Sequence, residues 1–424
     1  MIKFLIKGIL HDRSRSLLPI IVVSIGVALT VLLHGWITGV LGDSIAMNAN
    51  FNSGHLKVMS RAYARDDAQM PNDLALLESD DLTEKLKNDY PELDWVRRIR
   101  FGGLIDFPDA NGETRAQGPV VGWAIDLFTP GSGEKERFNL QNSILDGKLP
   151  SKAGEALITN DFATKFKVRP GDSFTLFGTT MDGGMAFRNF TVAGTVLFGS
   201  SALDRGAIIA DISDIRKALG MEGAAGEILG FFTNGIYDDR RATAMMNNFN
   251  QKYISDTDEF APQMIRLRDQ GGMSEYFDIS NTMGLIMVFI FVLAMSVVLW
   301  NAGLLGGLRR YNEFGVRLAL GEEKKHIYRT LIYEGLLIGS IGSIAGTALG
   351  LSFSYYLQVV GLDLGDMMQQ STLMMPTVVK TRITPAAFYI GFIPGIFSMV
   401  FGNALAGIAI YKRNTAQLFK ELEV

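Results

Sequence analysis

Long apolar runs alternate with mixed polar segments along this chain. A helix rises about 1.5 Å per residue, so a bilayer core about 30 Å thick needs roughly 20 consecutive apolar residues to cross it. Four segments meet this requirement and predict transmembrane helices. They are residues 17–41, 283–308, 330–357 and 386–411, and the second and fourth contain no charged side chain.

The first apolar run follows a basic lead of Lys3, Lys7, Arg13 and Arg15, as a secretory signal peptide would. However, the run is about twice as long as the roughly 7 to 15 apolar residues of a signal peptide. No small-residue cleavage motif follows it. We therefore expect a retained membrane anchor rather than a cleaved signal.

The distribution of positive charge predicts the orientation of the spans, because short cytoplasmic loops are enriched in Lys and Arg. Residues 1–16 carry four such side chains, residues 309–329 carry six and the tail 412–424 carries three, whereas residues 358–385 carry two. Both termini and the loop 309–329 are therefore expected in the cytoplasm. The segment 42–282 and the loop 358–385 are expected on the other side of the membrane.

The segment 42–282 is long enough to form one large or two small domains with cores of their own. Short apolar or alternating runs within it predict strands, and amphipathic runs between them predict helices, with no regular β-α-β alternation. The predicted strands are 104–107, 120–125, 173–177, 190–196 and 207–212, and the predicted helices are 80–88, 160–167 and 240–253. We expect an α+β domain in which Asp80 and Asp211 are helix N-cap or turn residues.

Composition excludes several classes of function. The 424 residues carry a net charge of −4, which argues against a nucleic-acid binder held by phosphate contacts. The absence of cysteine excludes disulfides, Cys-ligated zinc, iron–sulfur clusters and a Cys nucleophile. The four histidines are far apart, and no G-x-S-x-G or H-E-x-x-H motif occurs in the segment 42–282. We expect a chain that is not itself an enzyme and that binds no metal or cofactor.

Adjacent acidic pairs are the remaining candidates for acid–base chemistry in this segment. Neighbouring residues on a helix or a strand do not face each other, so these pairs do not form a two-carboxylate site. They are predicted to be solvated surface charges. The pairs are Asp66-Asp67, Asp80-Asp81 and Asp238-Asp239.

The loop 309–329 combines apolar, small and charged residues. Phe314, Leu318 and Ile327 predict an apolar stripe on a short helix, and Gly321 predicts its C-terminal end. Arg310, Glu313 and Arg317 lie three or four residues apart, so their side chains can bridge one another. On charge alone this loop is equally a linker that fixes topology, but the mixture favours a helix that docks on a cytoplasmic protein.

The string from Glu313 to Gly321, EFGVRLALG, resembles the E-[IF]-G-x-x-x-A-L-G motif of the FtsX/MacB family of ABC transporter permeases. Residues 149–176, with their GE and GD landmarks, and the string FTVAG at 190–194 are similar to the MacB-like periplasmic core domain. The resemblance implies four spans, with this large domain inserted between the first two. It also implies a coupling helix that fits a cleft on an ATPase and comprises Arg310, Glu313, Phe314, Gly315, Arg317, Leu318, Ala319 and Gly321.

The sequence contains no G-x-x-x-x-G-K-[ST] motif, so it lacks the loop that cradles nucleotide phosphates. In layout it resembles the lipoprotein-releasing LolC/LolE permeases, whose ATPase is a separate subunit. The resemblance therefore implies a stand-alone ATPase that binds ATP and Mg²⁺, a second permease, identical or related, and a bacterial inner-membrane location.

The third span contains the row Gly342, Gly346 and Gly350, with small residues four apart on one helix face. Such rows let helices approach closely in lipid, either within one chain or across a dimer. Glu334 is the acid of that span and is a candidate for transmitting coupling-helix motion. A proton-relay role would need further ionisable partners, and the spans offer His34 alone.

Three functions share this implied architecture. The first is release of lipoproteins from the inner membrane, which the LolC/LolE-like layout favours. The second is MacB-like export of peptides or amphiphilic small molecules with an adaptor and an outer-membrane channel. The third is FtsX-like activation of a cell-wall hydrolase, which the large size of the segment 42–282 disfavours.

Overall fold

A computed structural model describes residues 13–109, 111–198, 201–254, 257–308, 311–363 and 378–412. The chain divides into two compact units. One unit comprises Met1–Gly42, Ile279–Leu362 and Val379–Val424, and the other comprises Asp43–Asp278 and Asp363–Val378. We refer to them as the helical unit and the external domain.

Long apolar helices form the helical unit. Its helices are α1 (Arg13–Asn48, which continues into the external domain), α10 (Met273–Leu308, which begins there), α11 (Tyr311–Ala319), α12 (Lys324–Val360) and α13 (Phe392–Lys412). Among the described residues, three helical segments are long and apolar enough to cross a membrane: Leu17–Ser53, Lys324–Val360 and Pro385–Ile408. The predicted span 283–308 lies in α10, where many side chains are outside the described residues, and it stays a prediction.

Pro394 does not interrupt the last apolar helix. Helix α13 begins at Phe392, so Pro394 lies in its first turn. Backbone N–H groups there have no intrahelical acceptor, so proline costs no hydrogen bond. The irregularity lies earlier, at 389–391, between a 3₁₀ turn at Pro385–Phe388 and α13.

Among the described residues, ten strands form the main sheet of the external domain. They are β1 (Leu56–Ser60), β2 (Leu93–Pro108), β3 (Thr114–Ile125), β4 (Ile144–Gly147), β5 (Glu155–Thr159), β6 (Ser173–Thr179), β7 (Met185–Val196), β8 (Ala207–Asp211), β9 (Glu227–Phe232) and β10 (Pro262–Arg266). The pairings β2–β3, β3–β8, β8–β5, β5–β7, β7–β6 and β6–β2 close a six-stranded ring. Of these pairs, β3–β8 and β5–β7 are parallel. Closure leaves no unpaired edge within the ring.

Large apolar side chains fill the inside of this ring. They come from alternate positions of the strands, since successive side chains point to opposite faces. Phe101 and Phe107 of β2 meet Phe174 of β6 and Phe190 of β7 in one buried cluster. Four of the predicted strands fall within β2, β3, β6 and β7, and the fifth, 207–212, extends one residue beyond β8, which ends at Asp211.

The long strand β2 also belongs to a second layer. Its first half pairs with β9, and the order continues through β1 to β10, all antiparallel. Helices α3 (Ser79–Asp89) and α9 (Asp239–Lys252) contribute Leu86 and Phe249 to the core of this layer. The external domain is therefore a mixed α and β structure, as its sequence texture predicts.

Short helices complete the external domain. They are α2 (Arg61–Arg65), α4 (Glu134–Arg137), α5 (Leu140–Ser143), α6 (Asn160–Phe166), α7 (Ser201–Asp204) and α8 (Ile212–Leu219). Asp211 is the N-cap of α8, and its side chain accepts a hydrogen bond from the Ser213 N–H. Asp80 lies instead inside the first turn of α3, where Arg97 and Arg216 pair with it.

Asp67 is not a solvated surface charge, contrary to the prediction from its acidic neighbour. It joins an ionic cluster with Lys57, Arg100 and the fully buried Glu227, whose Oε1 lies 3.2 Å from Lys57 Nζ. Burial raises the pKa of the Asp67 carboxyl. For Glu227, burial would raise the pKa, but Lys57 and Arg100 together lower it. This cluster ties the segment after α2 to strands β1, β2 and β9.

His55 gives the external domain a predictable dependence on pH. Its ring is buried, and Nδ1 accepts a 3.0 Å hydrogen bond from the Phe232 N–H. Burial, followed by the positive charge of Arg137, lowers the pKa of His55 to about 4 from 6.5. The unfolded chain therefore binds more protons between these values, so His55 stabilises the fold fully above pH 6.5 and its contribution is lost as pH falls towards 4.

We expect this loss to reach about 3 kcal/mol for His55, at 1.36 kcal/mol per pKa unit. The variant His55→Asn keeps an acceptor for the Phe232 N–H but does not titrate. Melting of the full chain in detergent, followed by tryptophan fluorescence at pH 7, 5.5 and 4, should show a smaller loss of stability for the variant. Equal losses in both proteins would contradict the assignment.

Candidate coupling site

The short helix α11 packs against the start of α12. Phe314 is buried together with Ile327 and Leu331, and Leu318 packs against the same cluster. These apolar side chains recur at helical spacing, so one face of α11 is held by the helix that follows it.

Gly321 ends α11 in a Schellman motif. Its N–H donates to the Leu318 carbonyl at 3.1 Å, and the Glu322 N–H donates to the Arg317 carbonyl at 3.0 Å. Gly321 has φ of +90°, a left-handed conformation that glycine adopts without the penalty of a side chain. The predicted end of this helix thus has a specific backbone geometry.

An ion pair closes the turn after the motif. Arg317 Nε and Nη2 each lie 2.6 Å from a carboxylate oxygen of Glu322, which is a bidentate pairing. The hydrogen bond from Arg317 lowers the pKa of Glu322. Sequence spacing suggested a bridge among Arg310, Glu313 and Arg317, but Arg310 and the Glu313 side chain lie outside the described residues. The partner seen for Arg317 is Glu322.

The predicted stripe of Phe314, Leu318 and Ile327 is confirmed, since these side chains pack together, and the opposite face of α11 is exposed. Phe314 and Gly315 are buried, whereas Ala319 is exposed. Leu320 has 82% of its surface exposed and Val316 has 50%. Val316 on α11 and Leu320, the residue after its end, are exposed apolar side chains that the sequence prediction missed.

The glycine row of α12 lies against α1 of the same chain. A Cβ on Gly342 would lie 2.6 Å from Val23 Cγ1, and one on Gly350 would lie 2.8 Å from Val31 Cβ. At Gly346 it would meet the Ser24 carbonyl oxygen. Backbone therefore packs directly on backbone and side chain here, which is how small residues bring helices together in lipid.

Glu334 lies half-buried on α12, between Leu331, which packs on α11, and the glycine row that begins at Gly342. Leu331, one turn earlier, accepts a 3.1 Å hydrogen bond from Asn403 Nδ2 of α13. Gly335 lies against the same Asn403. Glu334 is thus placed where α12 and α13 are joined. In the part of the chain that the structure describes, no group of three His, Asp or Glu side chains is arranged to hold a metal ion.

Two family models match this chain. The MacB-like periplasmic core domain matches residues 16–236, more than half of the chain, and the FtsX-like permease C-terminal domain matches residues 285–415. The chain belongs to the FtsX/MacB family of permeases. In this family match, the permease region includes α11 and α12, and the core-domain region includes the closed ring of strands.

Individual relatives are distant. The macrolide export ATP-binding/permease protein MacB of Hyphomonas neptunium is 28% identical over 148 aligned residues, which cover 28% of this chain and 23% of that protein. The lipoprotein-releasing system transmembrane protein LolC of Haemophilus influenzae is 24% identical over 212 residues, covering 48% of this chain and 50% of LolC. The chain therefore spans between about a quarter and a half of the length of these relatives.

One solved structure, the periplasmic region of MacB from Actinobacillus actinomycetemcomitans, is similar over 54% of this chain and 95% of that one. The TM-score is 0.35 and the sequence identity is 9%.

Proposed function

We propose that this chain is the permease subunit of an ABC transporter whose ATPase is a separate polypeptide. The observation that carries the proposal is the geometry of α11, which packs on α12 through Phe314 and leaves Val316 and Leu320 exposed. A hydrophobic anchor on a short, rigid helix suits insertion into a pocket of a partner protein. ATP and Mg²⁺ would be bound by that partner, since this sequence has no phosphate-binding loop.

The proposed mechanism is mechanical. Closure of the ATPase subunits on ATP pushes α11, and its buried contacts with Ile327 and Leu331 pass the displacement to α12. The tight packing of Gly342, Gly346 and Gly350 passes it on to α1. Because α1 extends to Asn48 and α10 begins at Met273, both helices carry the movement into the external domain.

The proposed setting is a bacterial inner membrane with four spans, including 283–308, and with both termini and α11 in the cytoplasm. Positive charge supports this orientation, since the loop 309–329 holds six Lys and Arg. A second permease, identical or related, completes the transporter in this proposal. Work is done on the cargo outside the membrane rather than through a solute pore.

Release of lipoproteins is the cargo assignment we favour. LolC, a lipoprotein-releasing system protein, aligns with this chain over about half of both proteins. Export with an adaptor and an outer-membrane channel is the second candidate, because MacB has the higher identity, 28%, over its shorter alignment. The two candidates require different partners outside the membrane.

Co-purification tests both the proposal and the cargo. The tagged chain is extracted gently from its native membrane, and the bound proteins are identified by mass spectrometry. We expect a stand-alone ATPase, a permease partner and acylated lipoproteins. An adaptor or outer-membrane channel in place of lipoproteins would move the assignment to export, and the absence of any ATPase would overturn the proposal.

A further inference from the structure

Backbone carbonyls at the end of α1 accept hydrogen bonds from side chains of the external domain. After Asn48 the helix continues into a π-helical turn, Ala49–Ser53, which ends at Gly54 with φ of +59°. The last carbonyls of a helix have no intrahelical donors and need other partners. The Gly54 N–H satisfies the first of them by donating to the Ala49 carbonyl at 2.8 Å.

Side chains from distant parts of the sequence satisfy the next carbonyls. Arg98 Nη1 donates to the Asn50 carbonyl at 2.5 Å and to the Phe51 carbonyl at 3.4 Å. Trp123 Nε1 also donates to the Phe51 carbonyl, at 2.9 Å. Gln270, just before α10, donates to the Ser53 carbonyl at 3.3 Å. The end of α1 is therefore held from β2, from β3 and from the start of α10.

Arg98 is fully buried, and its charge is balanced by a fully buried carboxylate. Its Nε and Nη2 lie 2.6 and 2.9 Å from the two oxygens of Glu134, so one edge of the guanidinium binds Glu134 while Nη1 binds the helix end. The guanidinium also lies over the rings of Phe138 and Phe231, at 4.6 and 5.6 Å. The hydrogen bonds to Glu134 and to the helix end and the contacts with the two rings together fix the orientation of this planar group.

A buried ion pair is by itself weak evidence for stabilisation of a fold. Replacing a buried ion pair with apolar side chains of similar size is often neutral or stabilising, because desolvation offsets the attraction between the charges. What the pair adds is directional contact with the helix carbonyls. Apolar packing of the Phe51 ring on Phe138 and Phe198, at 4.7 and 5.1 Å between centroids, secures the same turn without such direction.

We propose that Arg98, held by Glu134, is a positioning residue that makes the strands of the external domain follow the end of α1. This inference rests on the proposed function and identifies the contact through which movement of α1 is passed to the strands of the external domain. The movement of α1 reaches β2 through the two carbonyls that Arg98 binds. Removing the pair should leave the fold and ATP hydrolysis intact but let the helix end move independently of the sheet.

The test uses the double variant Arg98→Met with Glu134→Leu, which replaces the pair with apolar side chains. The matched control is Arg137→Met, because Arg137 also contacts Glu134, at 3.2 Å, and lies over Phe231, yet makes no hydrogen bond to the α1 end. Hydrogen–deuterium exchange of the full chain in detergent reports directly on the turn. Amides of residues 49–56 should exchange at least tenfold faster in the double variant and unchanged in the control.

A second measurement reads the coupling. The chain and its co-purifying ATPase are reconstituted in nanodiscs, and spin-label distances between α1 and β2 are measured with and without ATP. We expect the double variant to hydrolyse ATP at the normal rate, to melt within a few degrees of the original, and to lose the fixed α1–β2 distance upon addition of ATP.

Unchanged exchange in the double variant, or an unchanged α1–β2 distance distribution, would overturn the inference. If the original chain shows neither ATPase binding nor any response to ATP, the proposed function has failed. An exchange increase that is equal in the Arg137→Met control would assign the effect to general packing around Phe231 and would also overturn the role of Arg98.

Discussion

Replacing Leu320 with aspartate is expected to reduce recovery of the ATPase with this chain at least tenfold. Leu320 is the most exposed large apolar residue at the end of α11, with 82% of its surface free, and it lies in the chain beside the Gly321 turn. Full burial of a leucine side chain at an interface contributes about 2 kcal/mol, about a thirtyfold change in affinity. A carboxylate in the same pocket adds a desolvation cost.

The measurement is the amount of ATPase bound per permease after extraction, with ATP hydrolysis by the same sample. Met185→Asp is the matched control, because Met185 of β7 has nearly the same exposure, 79%, but lies in the external domain. The control should bind ATPase normally, and both variants should melt like the original chain. Equal binding by Leu320→Asp and the original would remove α11 as the docking element.

The second large effect is expected at the contact between α1 and α12. A leucine at position 346 places its Cβ against the Ser24 carbonyl oxygen and 2.7 Å from Val27 Cβ. The rest of the leucine side chain needs additional space at the same contact. Backbone does not yield as a flexible side chain does, so the two helices must separate. We expect Gly346→Leu to accumulate at a small fraction of the normal level and to elute as an aggregate.

Ala348→Leu is the control for this substitution, since Ala348 lies on the same helix with an exposed side chain. It should accumulate normally, because added apolar volume facing lipid creates no clash. Normal accumulation and melting of Gly346→Leu would show that the α1–α12 contact is not as close as described. An intermediate result would be resolved by Gly346→Ala, which adds the Cβ alone and should lower the melting temperature.

The elements of the external domain were predictable where one periodicity dominated. Strands such as 173–177 alternate buried Phe174 and Leu176 with less buried neighbours, so the pattern is visible in the sequence. Strand β2 was predicted for only four of its 16 residues. The other half of β2 contains Arg97, Arg98 and Arg100. The sequence of this half indicates a solvent-exposed segment, because it does not show the partners of these side chains.

The ionic contacts were not predictable for the same reason. Arg98 and Glu134 are 36 residues apart, and Lys57 and Glu227 are 170 residues apart. Nothing local distinguishes these charges from surface charges, because their burial depends on strand pairings far along the chain. Asp67 was therefore assigned to the surface, although Met59 and Tyr63, earlier in the same part of the chain, are buried.

The sequence predicted the buried face and the end of α11 but not its exposed apolar residues. Gly321 marks the helix end through its conformation, which a sequence can indicate. Phe314, Leu318 and Ile327 were predicted as an apolar stripe and do pack together. The exposure of Val316 on α11 and of Leu320, just after its end, was not predicted. The packing of Phe314 on Ile327 and Leu331 decides which face of α11 is buried, and this contact depends on the turn at Gly321.

The central claim is that the exposed end of α11 touches a separate ATPase, and cross-linking tests it most directly. Because the chain has no cysteine, Leu320→Cys creates a unique site for a photoactivatable maleimide in native membranes. Met185→Cys is the control. The account predicts an adduct with an ATP-binding protein from position 320 and none from position 185; no such adduct from 320, or equal adducts from both, would contradict it.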